Sequence, residues 1–493
     1  MPGPATAPPT AGPAGNPQEP PGLAPVRWAV VIPDRLRPLV EETAELSTRF
    51  AEADFRLYLV GGVVRDAVLG RLRADADLDF TTDARPDDIE SLVAGWADAV
   101  WDQGRRFGTI GVLVGGRRME ITTHRAEAYH PDSRKPDVVF ADAVEADLSR
   151  RDFTVNAMAL SLPDLTLIDP FDGVGDLGIH RLRTPLAPEE SFTDDPLRML
   201  RAARFIAGYQ LVPDPTLTGA VMTLRGRLDI VSDERIRDEL DKLMVVDKPG
   251  EGLWFLVRTG LAEEFLPELP ALALEQDPIH RHKDVLAHTI AVVENTSPVR
   301  LLRLAALFHD VGKPKTRSFG PPGTVMFHHH EVVGARMTRD RMKALRYSSE
   351  DIETVSRLVD LHLRFHTYRM GWTDSAVRRY VRDAGPLLDL LNELTRCDCT
   401  TRNAVKARAL ARRMDELDAR IAELRSQEEL AAIRPDLDGN AVMDRLGLQP
   451  GRDVGEALSF LLELRLEEGP LGPEEAGRRL EAWWAGRSGA AGR

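Results

Sequence analysis

The sequence predicts an α+β domain followed by a long all-α region. Between residues 56 and 123, short apolar or alternating runs are separated by tight glycine turns, which indicates strands mixed with short helices. From residue 194 onward, apolar residues recur at helical spacing almost without interruption, and proline or glycine marks the breaks.

The predicted elements of the first domain follow one another over short turns. Residues 56–60 form an apolar run that indicates a buried strand, and the glycine pair after it indicates a turn. Residues 77–82 alternate in polarity, as a half-buried strand does. Residues 124–148 are polar with few structural signals, which predicts a mobile loop. The other elements predicted here are helices over 63–69 and 88–98 and a hairpin of 109–114 with 117–123.

Length and composition fit several domains in a row. The chain has 493 residues, too many for one ordinary core, so we expect three or four compact units. Its net charge of −14 argues against a uniformly basic nucleic-acid-binding protein but leaves local patches open. No run approaches the roughly 18 apolar residues of a membrane span. Residues 1–26, rich in Pro, Gly and Ala, lack the pattern of a secretory signal, so we expect a disordered tail on a cytoplasmic protein without a membrane partner.

A pair of carboxylates lies on the predicted strand over 77–82. Asp77 and Asp79 are two residues apart, so both project from one face, within reach of one hard divalent cation. Paired carboxylates that hold Mg²⁺ are what nucleotidyl transfer needs. Taken alone, the pair also fits a solvated strand edge.

The glycine turn before this strand suits a phosphate group. Gly61 and Gly62 leave the backbone bare at a helix start, and Arg65 lies one turn further as a charged clamp. The alternative is a turn with no further role. The chain lacks both a Lys-Ser/Thr phosphate loop and G-x-G-x-x-G, which argues against an ordinary ATPase or a dinucleotide enzyme.

Two arginine-containing segments could recognise a nucleotide. Arg151 and Asp152 could together bind a phosphate and a ribose hydroxyl, although a surface ion cluster is the alternative. Asp195 and Arg198 are three apart on a predicted helix and offer an acceptor and a forked donor, the complement of a base edge. Helix capping and structural ion pairs are the alternatives there. The same spacing of three extends the row to Arg201 and Arg204.

A second cluster of titratable residues lies in the all-α region. His309 and Asp310 end an apolar helix, and further histidines and an aspartate occur on successive predicted helices. Such groups can converge on a divalent transition metal, although a satisfied buried pair is the alternative. The proposed ligands are His288, His309, Asp310 and Asp398, with His330 and His362 available for a second metal.

These segments resemble known families. Five motifs occur in this order: Gly61-Gly62-Val-Val-Arg65-Asp66, Asp77-Leu-Asp79, and residues 150–157, 169–173 and 194–198. The first two resemble the signature of the DNA polymerase β-like nucleotidyltransferases. All five resemble the bacterial class II tRNA nucleotidyltransferases, which add CCA to tRNA. The resemblance covers the chain from about residue 27, and the histidine–aspartate cluster resembles the HD phosphohydrolase domain that some of these enzymes carry.

The resemblance implies roles for individual residues. It implies that Gly61, Gly62 and Arg65 contact the triphosphate and that Asp77 and Asp79 bind Mg²⁺. It implies that Arg151 and Asp152 recognise the ribose. The incoming CTP or ATP would be read by Asp195 and Arg198, with Arg201 and Arg204 supporting that site. The superfamily uses a third carboxylate on a neighbouring strand, for which Glu120 is the candidate and a surface charge the alternative. One departure is Asp194, where the family usually has Glu.

The resemblance also implies a domain order and a function. After the tail of residues 1–26 we expect a polymerase β-like head over 27–185, a nucleotide-reading neck over 186–272, an HD domain over 273–400 and a helical tRNA-binding tail over 401–493. The function implied is addition of CCA to tRNA from CTP and ATP, without a template, with possible phosphohydrolase action on RNA ends. A poly(A) polymerase, a CC- or A-adding enzyme, and an HD phosphohydrolase with a degenerate RNA-binding head are the alternatives.

Overall fold

A computed structural model describes residues 27–28, 37–73, 75–130, 133–274, 284–320, 325–367, 372–399, 404–428 and 433–490. The predicted disordered tail, residues 1–26, lies outside the described residues. The chain divides into two compact units, Met1–Ala128 with Asp137–Ile179, and Tyr129–Pro136 with His180–Arg493. Among the described helices, none has the length and apolar character needed to cross a bilayer.

The first unit contains an eight-stranded mixed sheet with helices beside it, and the predicted α+β class is confirmed. In chain order the elements up to residue 178 are β1 (Arg27–Trp28), α1 (Arg37–Glu52), β2 (Leu57–Val60), α2 (Gly62–Val68), β3 (Leu78–Thr82), α3 (Pro86–Val93), β4 (Ala99–Trp101), β5 (Thr109–Val114), β6 (Arg117–Thr123), β7 (Arg125–His130), β8 (Ser133–Phe140), α4 (Val144–Ser149), β9 (Ala159–Leu162), β10 (Leu167–Ile168) and α5 (Gly173–Gly178). The strand order in the sheet is β1-β10-β9-β2-β3-β6-β5-β4. Strands β3 and β6 run parallel, and the other neighbours run antiparallel.

The alternation of side chains on the central strands separates a core from an accessible surface. On β3, Leu78 and Phe80 are buried whereas Asp79 between them is exposed. On β6, Met119 and Ile121 are buried whereas Glu120 is exposed. The period of two along each strand therefore directs both carboxylates away from the core.

The second unit is mainly helical in the part of the chain that the structure describes. Its elements are β11 (Arg181–Leu182), α6 (Pro188–Asp194), α7 (Leu197–Tyr209), β12 (Val212–Pro213), α8 (Pro215–Leu224), α9 (Asp233–Met244), α10 (Gly250–Arg258), α11 (Leu261–Phe265), α12 (Val285–Asn295), α13 (Arg300–Phe308), α14 (Lys313–Thr316), β13 (Arg317–Phe319), β14 (Val325–Phe327), α15 (His330–Ala344), α16 (Ser349–Leu361), α17 (Asp374–Ala384), α18 (Leu388–Asp398), α19 (Ala404–Gln427), α20 (Gly439–Leu446), α21 (Arg452–Glu468) and α22 (Pro473–Ala490). Two short pairs, β11 with β12 and β13 with β14, interrupt the helices.

Close backbone contacts fix the helices that carry the predicted site residues. A Cβ at Gly252 on α10 would lie 2.5 Å from the carbonyl oxygen of Ala203, so glycine allows α10 to approach α7. A Cβ at Gly312 would lie 2.1 Å from the carbonyl oxygen of His330. The turn that follows Asp310 is therefore packed directly against the start of α15.

Two predicted elements differ from the structure. The stretch over 124–148, predicted as a mobile loop, contains β7 and β8, which pair as a two-stranded sheet, and α4. Strands that pair with each other need no apolar alternation against a core, so the periodicity did not reveal them. The helix predicted over 88–98 ends at Val93, and Gly95 turns the chain towards β4 with φ of 72°.

Candidate functional site

Three carboxylates come together on the accessible face of the first unit's sheet. Asp79 on β3 lies opposite Glu120 on β6, and Asp77 precedes Asp79 by two residues. Although the side chain of Asp79 is accessible to solvent, the protein atoms around it restrict its hydration and raise its pKa to about 6. The charge of Arg151 lowers this pKa, and the charges of Glu120 and Asp77 raise it. A bound cation would relieve the repulsion among these oxygens. The donor set therefore fits Mg²⁺, whose ligands are oxygen atoms.

The glycine turn between β2 and α2 lies beside these carboxylates. Gly61 has φ of 76°, in the left-handed region that favours glycine. A Cβ at this position would lie 3.1 Å from Nη1 of Arg151 and 3.6 Å from Oδ2 of Asp79. The bare backbone of Gly61 thus lies close to both a guanidinium and a carboxylate, while contact with a triphosphate stays a prediction for Gly61 and Gly62.

A hydrogen-bonded chain connects α2 to the segment that follows α4. The buried guanidinium of Arg65 donates to Oδ1 of Asn156 at 2.6 Å, and the amide of Asn156 donates to Oδ1 of Asp152 at 2.9 Å. Arg65 also pairs with Asp66 at 2.8 Å. These bonds bring Arg65 and Asp152, which are far apart in sequence, into one network.

The buried carboxylate of Asp147 holds the two neighbouring arginines. Arg150 and Arg151 donate to its oxygens at 2.5 and 3.1 Å. Burial alone would raise the pKa of Asp147, but the two guanidinium charges lower it to about 2. Asp147 therefore stays ionised at neutral pH and fixes Arg151 near Gly61.

The raised pKa of Asp79 predicts that Mg²⁺ dependence will change with pH. Only the ionised carboxylate binds the cation well, so apparent Mg²⁺ affinity should fall as pH decreases through about 6. Glu120→Gln removes a neighbouring negative charge and should move this midpoint to lower pH. The half-saturating Mg²⁺ concentration for nucleotide addition, measured from pH 5 to 8, checks this. Glu52→Gln, on α1, is the control, and a wild-type midpoint near pH 4 would contradict the prediction.

Asp195 and Arg198 flank the start of α7 in the second unit. Asp195 does not lie within the helix as predicted: its backbone is extended, with φ of −135° and ψ of 97°, and α7 begins at Leu197. Its carboxylate accepts from the N–H of Leu197 at 3.2 Å and from Arg235 at 3.1 Å. The buried Arg198 donates to the hydroxyl of Ser191 at 2.8 Å. The capping and structural contacts that were the alternatives are therefore present, and base reading by the two groups stays a prediction.

The next two arginines of α7 share one buried acid. Arg204 donates to Oε2 of Glu239 at 2.8 Å, and Arg201 donates to Oε1 at 3.4 Å. Glu239 is 4% exposed. Burial alone would raise the pKa of this carboxyl, but the charges of Arg204 and Arg201 lower it. This arrangement fixes the arginine row of α7 from α9 and is consistent with a supporting role.

The six residues of the second predicted cluster converge. Three of their ligand atoms, from His288, His309 and Asp398, lie within 4.8 Å of one another, and so do three from Asp310, His330 and His362. Nε2 of His309 joins the two groups, because it lies 3.2 Å from Asp310 and 3.5 Å from Asp398. Such spacings are those of ligands about 2.1 Å from a shared ion.

The orientation of the buried histidines fits metal ligation. Nδ1 of His309, His330 and His362 bonds in each case to the carbonyl oxygen three residues earlier, at 2.7, 2.8 and 2.6 Å. This fixes a proton on Nδ1 of each ring and directs Nε2 at the cluster, where it can bind a metal once it carries no proton. Nε2 of His330 is buried and makes no hydrogen bond. A buried nitrogen with an unused lone pair fits a transition metal at this position.

The charges of the cluster indicate what a metal would replace. Burial alone would lower the pKa of His309, but Asp310 and Asp398 raise it to about 10, so the imidazole holds a proton between two carboxylates. Burial, with the charge of His309, lowers the pKa of His362 to about 3. The pKa values of Asp310 and Asp398 are well below the ordinary value, because the positive charge of His309 and hydrogen bonds outweigh burial. A divalent cation would take over the role of the His309 proton.

Several residues that position these sites are not among the residues predicted from the sequence. They are Asp147, Asn156, Arg235, Glu239 and Lys313, the last of which donates to Oδ2 of Asp310 at 2.6 Å. Asp147 and Lys313 were three or four residues from a predicted site residue, so spacing could have indicated them. Glu239 lies more than thirty residues from its arginines, and no local pattern links them.

Three family models match the chain. The model of the poly A polymerase head domain matches residues 57–183, and that of the probable RNA and SrmB-binding site of polymerase A matches 213–272. The HD domain model matches residues 285–423. The first model therefore covers the three carboxylates, and the third covers all six residues of the histidine–aspartate cluster.

Curated relatives extend the similarity over most of the chain. An A-adding tRNA nucleotidyltransferase of Deinococcus radiodurans is 33% identical over 86% of this chain and 95% of its own length. A CC-adding tRNA nucleotidyltransferase of Thermus thermophilus is 32% identical over 88% and 96%. A CCA-adding enzyme of Lactobacillus gasseri is 39% identical over 44% of this chain and 53% of its own length.

Solved structures share the fold. The CCA-adding enzyme of Bacillus stearothermophilus in complex with CTP aligns with a TM-score of 0.66 and 22% identity, over 93% of this chain and all of that chain. The CCA-adding enzyme of Thermotoga maritima complexed with tRNA aligns with a TM-score of 0.58 and 19% identity, over 92% and 97%. At these identities the likeness supports the fold and not the details of specificity.

Proposed function

We propose that this chain, which belongs to the class II family of CCA-adding and related tRNA nucleotidyltransferases, adds CCA to the 3′ end of tRNA. It has the poly A polymerase head, the RNA-binding segment and the HD domain of that family. Its activity is tRNA nucleotidyl transfer, and the proposed substrates are CTP and ATP, used without a nucleic-acid template. The observation that carries this proposal is the acceptor and donor pair Asp195 and Arg198 at the start of α7.

This pair matches the two bases that CCA requires. Cytosine and adenine both present an amino donor beside a ring-nitrogen acceptor on the pairing edge, whereas guanine and uracil present a carbonyl acceptor beside a ring N–H donor. The carboxylate of Asp195 accepts from the first kind of edge, and the guanidinium of Arg198 donates to it. One pair can thus admit CTP and ATP and reject GTP and UTP.

The head residues have complementary roles in this proposal. Asp77 and Asp79, with Glu120 beside them, hold Mg²⁺, which when bound supplies charge neutralisation at the reacting phosphate. Arg151, fixed by Asp147, and Arg65 bring positive charge to the nucleotide phosphates and ribose, with Asp152 in the same network. The backbone of Gly61 lies near Asp79 and Arg151 and leaves room for the triphosphate.

We further propose phosphohydrolase activity on RNA ends in the HD domain. The observation that favours it is the convergence of six candidate ligands, with Nε2 of three histidines directed inward. His288, His309, Asp310 and Asp398 would hold a divalent transition metal, and His330 with His362 would support a second. Such a metal supplies an activated water and charge stabilisation at a phosphate.

The experiment that tests the main proposal uses tRNA transcripts that end before CCA, after C and after CC. The purified protein with Mg²⁺ receives CTP and ATP separately and together. Addition that stops after CCA supports the proposal. Partial addition is the second candidate, because two relatives that match over nearly their whole length are an A-adding and a CC-adding enzyme. Addition restricted to CC or to A would establish that candidate, and a long A tail would indicate a poly(A) polymerase.

Arg198→Ala should weaken the selectivity for CTP and ATP over GTP and UTP. Loss of the forked donor is expected to reduce discrimination against GTP and UTP by about 10- to 100-fold, since a good bidentate contact contributes roughly 1–3 kcal/mol of discrimination. Ratios of kcat/KM for the four nucleotides on tRNA ending before CCA measure this. Arg258→Ala, an exposed arginine on α10, is the control. Unchanged ratios in a variant that melts like wild type would contradict the base-reading role.

A further inference from the structure

The hairpin of β13 and β14 adjoins the histidine–aspartate cluster. It lies in the chain between Asp310 and His330, two of the six ligands. On one side the single turn α14 separates it from the cluster, and on the other only two residues separate β14 from His330. Both ends of the hairpin are therefore anchored at the site proposed to bind metal.

The charge of this segment differs from that of the rest of the chain. Residues 311–330 contain no Asp or Glu, whereas the whole chain has 78 acids in 493 residues. The same segment contains Arg317 and two of the eight lysines, Lys313 and Lys315. Lys313 bonds to Asp310 at 2.6 Å and lies 5.6 Å from the ring centre of Phe327. Positive charge thus extends from the cluster onto the hairpin.

Aromatic side chains share one face of the hairpin with this charge. Arg317 pairs in register with Phe327, and Phe319 pairs with Val325, so these four side chains lie on the same face. The guanidinium carbon of Arg317 lies 5.1 Å from the ring centre of Phe319. Phe319 is 72% exposed. An exposed ring beside cations is the combination on which unpaired nucleobases stack while their phosphates are neutralised.

We propose that this hairpin face, formed by Arg317, Phe319 and Phe327, binds the single-stranded end of an RNA and presents its terminal phosphate to the cluster. The inference rests on the proposed HD phosphohydrolase function for the use of that phosphate, but RNA binding can be tested alone. The lack of acids favours a polyanion, and the exposed ring favours a polyanion with bases over an acidic peptide. Lys313 lies between the aromatic face and Asp310, where the terminal phosphate would arrive.

The test uses the full chain and an eight-nucleotide RNA with 4-thiouridine at its 3′ end. Photocrosslinks should map to residues 317–319. The double variant Arg317→Ala with Phe319→Ala should bind the oligonucleotide at least about tenfold more weakly, as expected for loss of one stacked base and one cation. Arg336→Ala with Val299→Ala removes an exposed arginine and an exposed apolar side chain elsewhere in the HD domain and should bind like wild type. Melting curves confirm that both double variants fold.

The controls separate this inference from the phosphohydrolase proposal. Hydrolysis of p-nitrophenyl phosphate with added Mn²⁺, compared between wild type and His309→Ala, tests the metal centre with a substrate too small to need the hairpin. Crosslinking to residues 317–319 without such hydrolysis would retain the hairpin inference and refute the activity. Crosslinks confined to other segments, or equal affinity of the two double variants, would overturn the hairpin inference whatever the hydrolysis result. Binding of poly-glutamate as tight as that of RNA would overturn it as well.

Discussion

Asp79→Asn is expected to reduce nucleotide addition to tRNA by at least about 100-fold, because a metal contribution of several kcal/mol corresponds to two or more powers of ten in rate. Asp79 lies opposite Glu120 and two residues after Asp77, so it is the central carboxylate of the three. Asparagine retains the shape but removes the charge that a hard cation requires. Single-turnover addition of CTP to tRNA ending before CCA, across a range of Mg²⁺ concentrations, measures the loss.

Stability distinguishes loss of the metal site from loss of the fold. The pKa of Asp79 is raised in the folded chain, so its ionised form destabilises the fold, and this contribution grows as pH rises through about 6. At pH 7.5, Asp79→Asn should therefore melt at a temperature no lower than wild type. Asp164→Asn, at an exposed position in the turn between β9 and β10 of the same unit, is a matched control with unchanged addition. An Asp79→Asn enzyme that keeps wild-type addition would refute the assignment of Mg²⁺ to these carboxylates.

Four of the eight strands of the sheet, β2, β3, β5 and β6, could be predicted because their signals are local. The apolar run of β2, the glycine turn and the alternation in β3 and β6 each depend on neighbouring residues, and the structure has all of them. Asp79 points away from the core as the period of two predicts, whereas Asp77, predicted on the same strand, lies one residue before β3 begins. That Glu120 lies opposite Asp79 needs the parallel pairing of β3 with β6, which no local pattern encodes. Its role as a third ligand stays a prediction.

The break before α7 has a local signal in the sequence. Asp195 precedes Pro196, and a proline ring disfavours the helical conformation in the residue before it. The extended backbone of Asp195 follows from this clash, and α6 therefore ends before it while α7 begins after it. The break separates Asp195 from the helical row of Arg198, Arg201 and Arg204.

Among the supporting residues, Arg235 and Glu239 could not be predicted because burial and long-range pairing decide them. Glu239 looks like one acid among many on a charged helix, yet it is buried against Arg201 and Arg204. A buried acid without these partners would be strongly unfavourable, so the arginines and Glu239 stabilise each other. By contrast, the histidine–aspartate cluster could be predicted, since few residue types bind metals and six of them recur on successive helices.

His309→Gln is expected to abolish metal binding at the cluster and to lower phosphohydrolase activity by at least about 100-fold, for the same several kcal/mol of metal stabilisation. His309 is fully buried, and its Nε2 lies within 3.5 Å of His288, Asp310 and Asp398. Addition of nucleotides to tRNA should stay within about twofold of wild type, because the Mg²⁺ ligands belong to the other unit. Metal content after dialysis, together with release of p-nitrophenol from p-nitrophenyl phosphate, measures the effect.

The proton on His309 provides a second readout that does not depend on activity. Its pKa of about 10 means that the imidazole is protonated at pH 7, so a metal that binds there must displace this proton. Calorimetric titration with Mn²⁺ in two buffers of different ionisation enthalpy should therefore show proton release in wild type and none in His309→Gln. His328→Gln, an exposed histidine outside the cluster, should behave as wild type in both measurements. Full metal content in His309→Gln, or binding of Mn²⁺ to wild type without proton release, would show that His309 is not a ligand. The cluster would then be a buried ion-pair network that stabilises the packing of α12, α13 and α18.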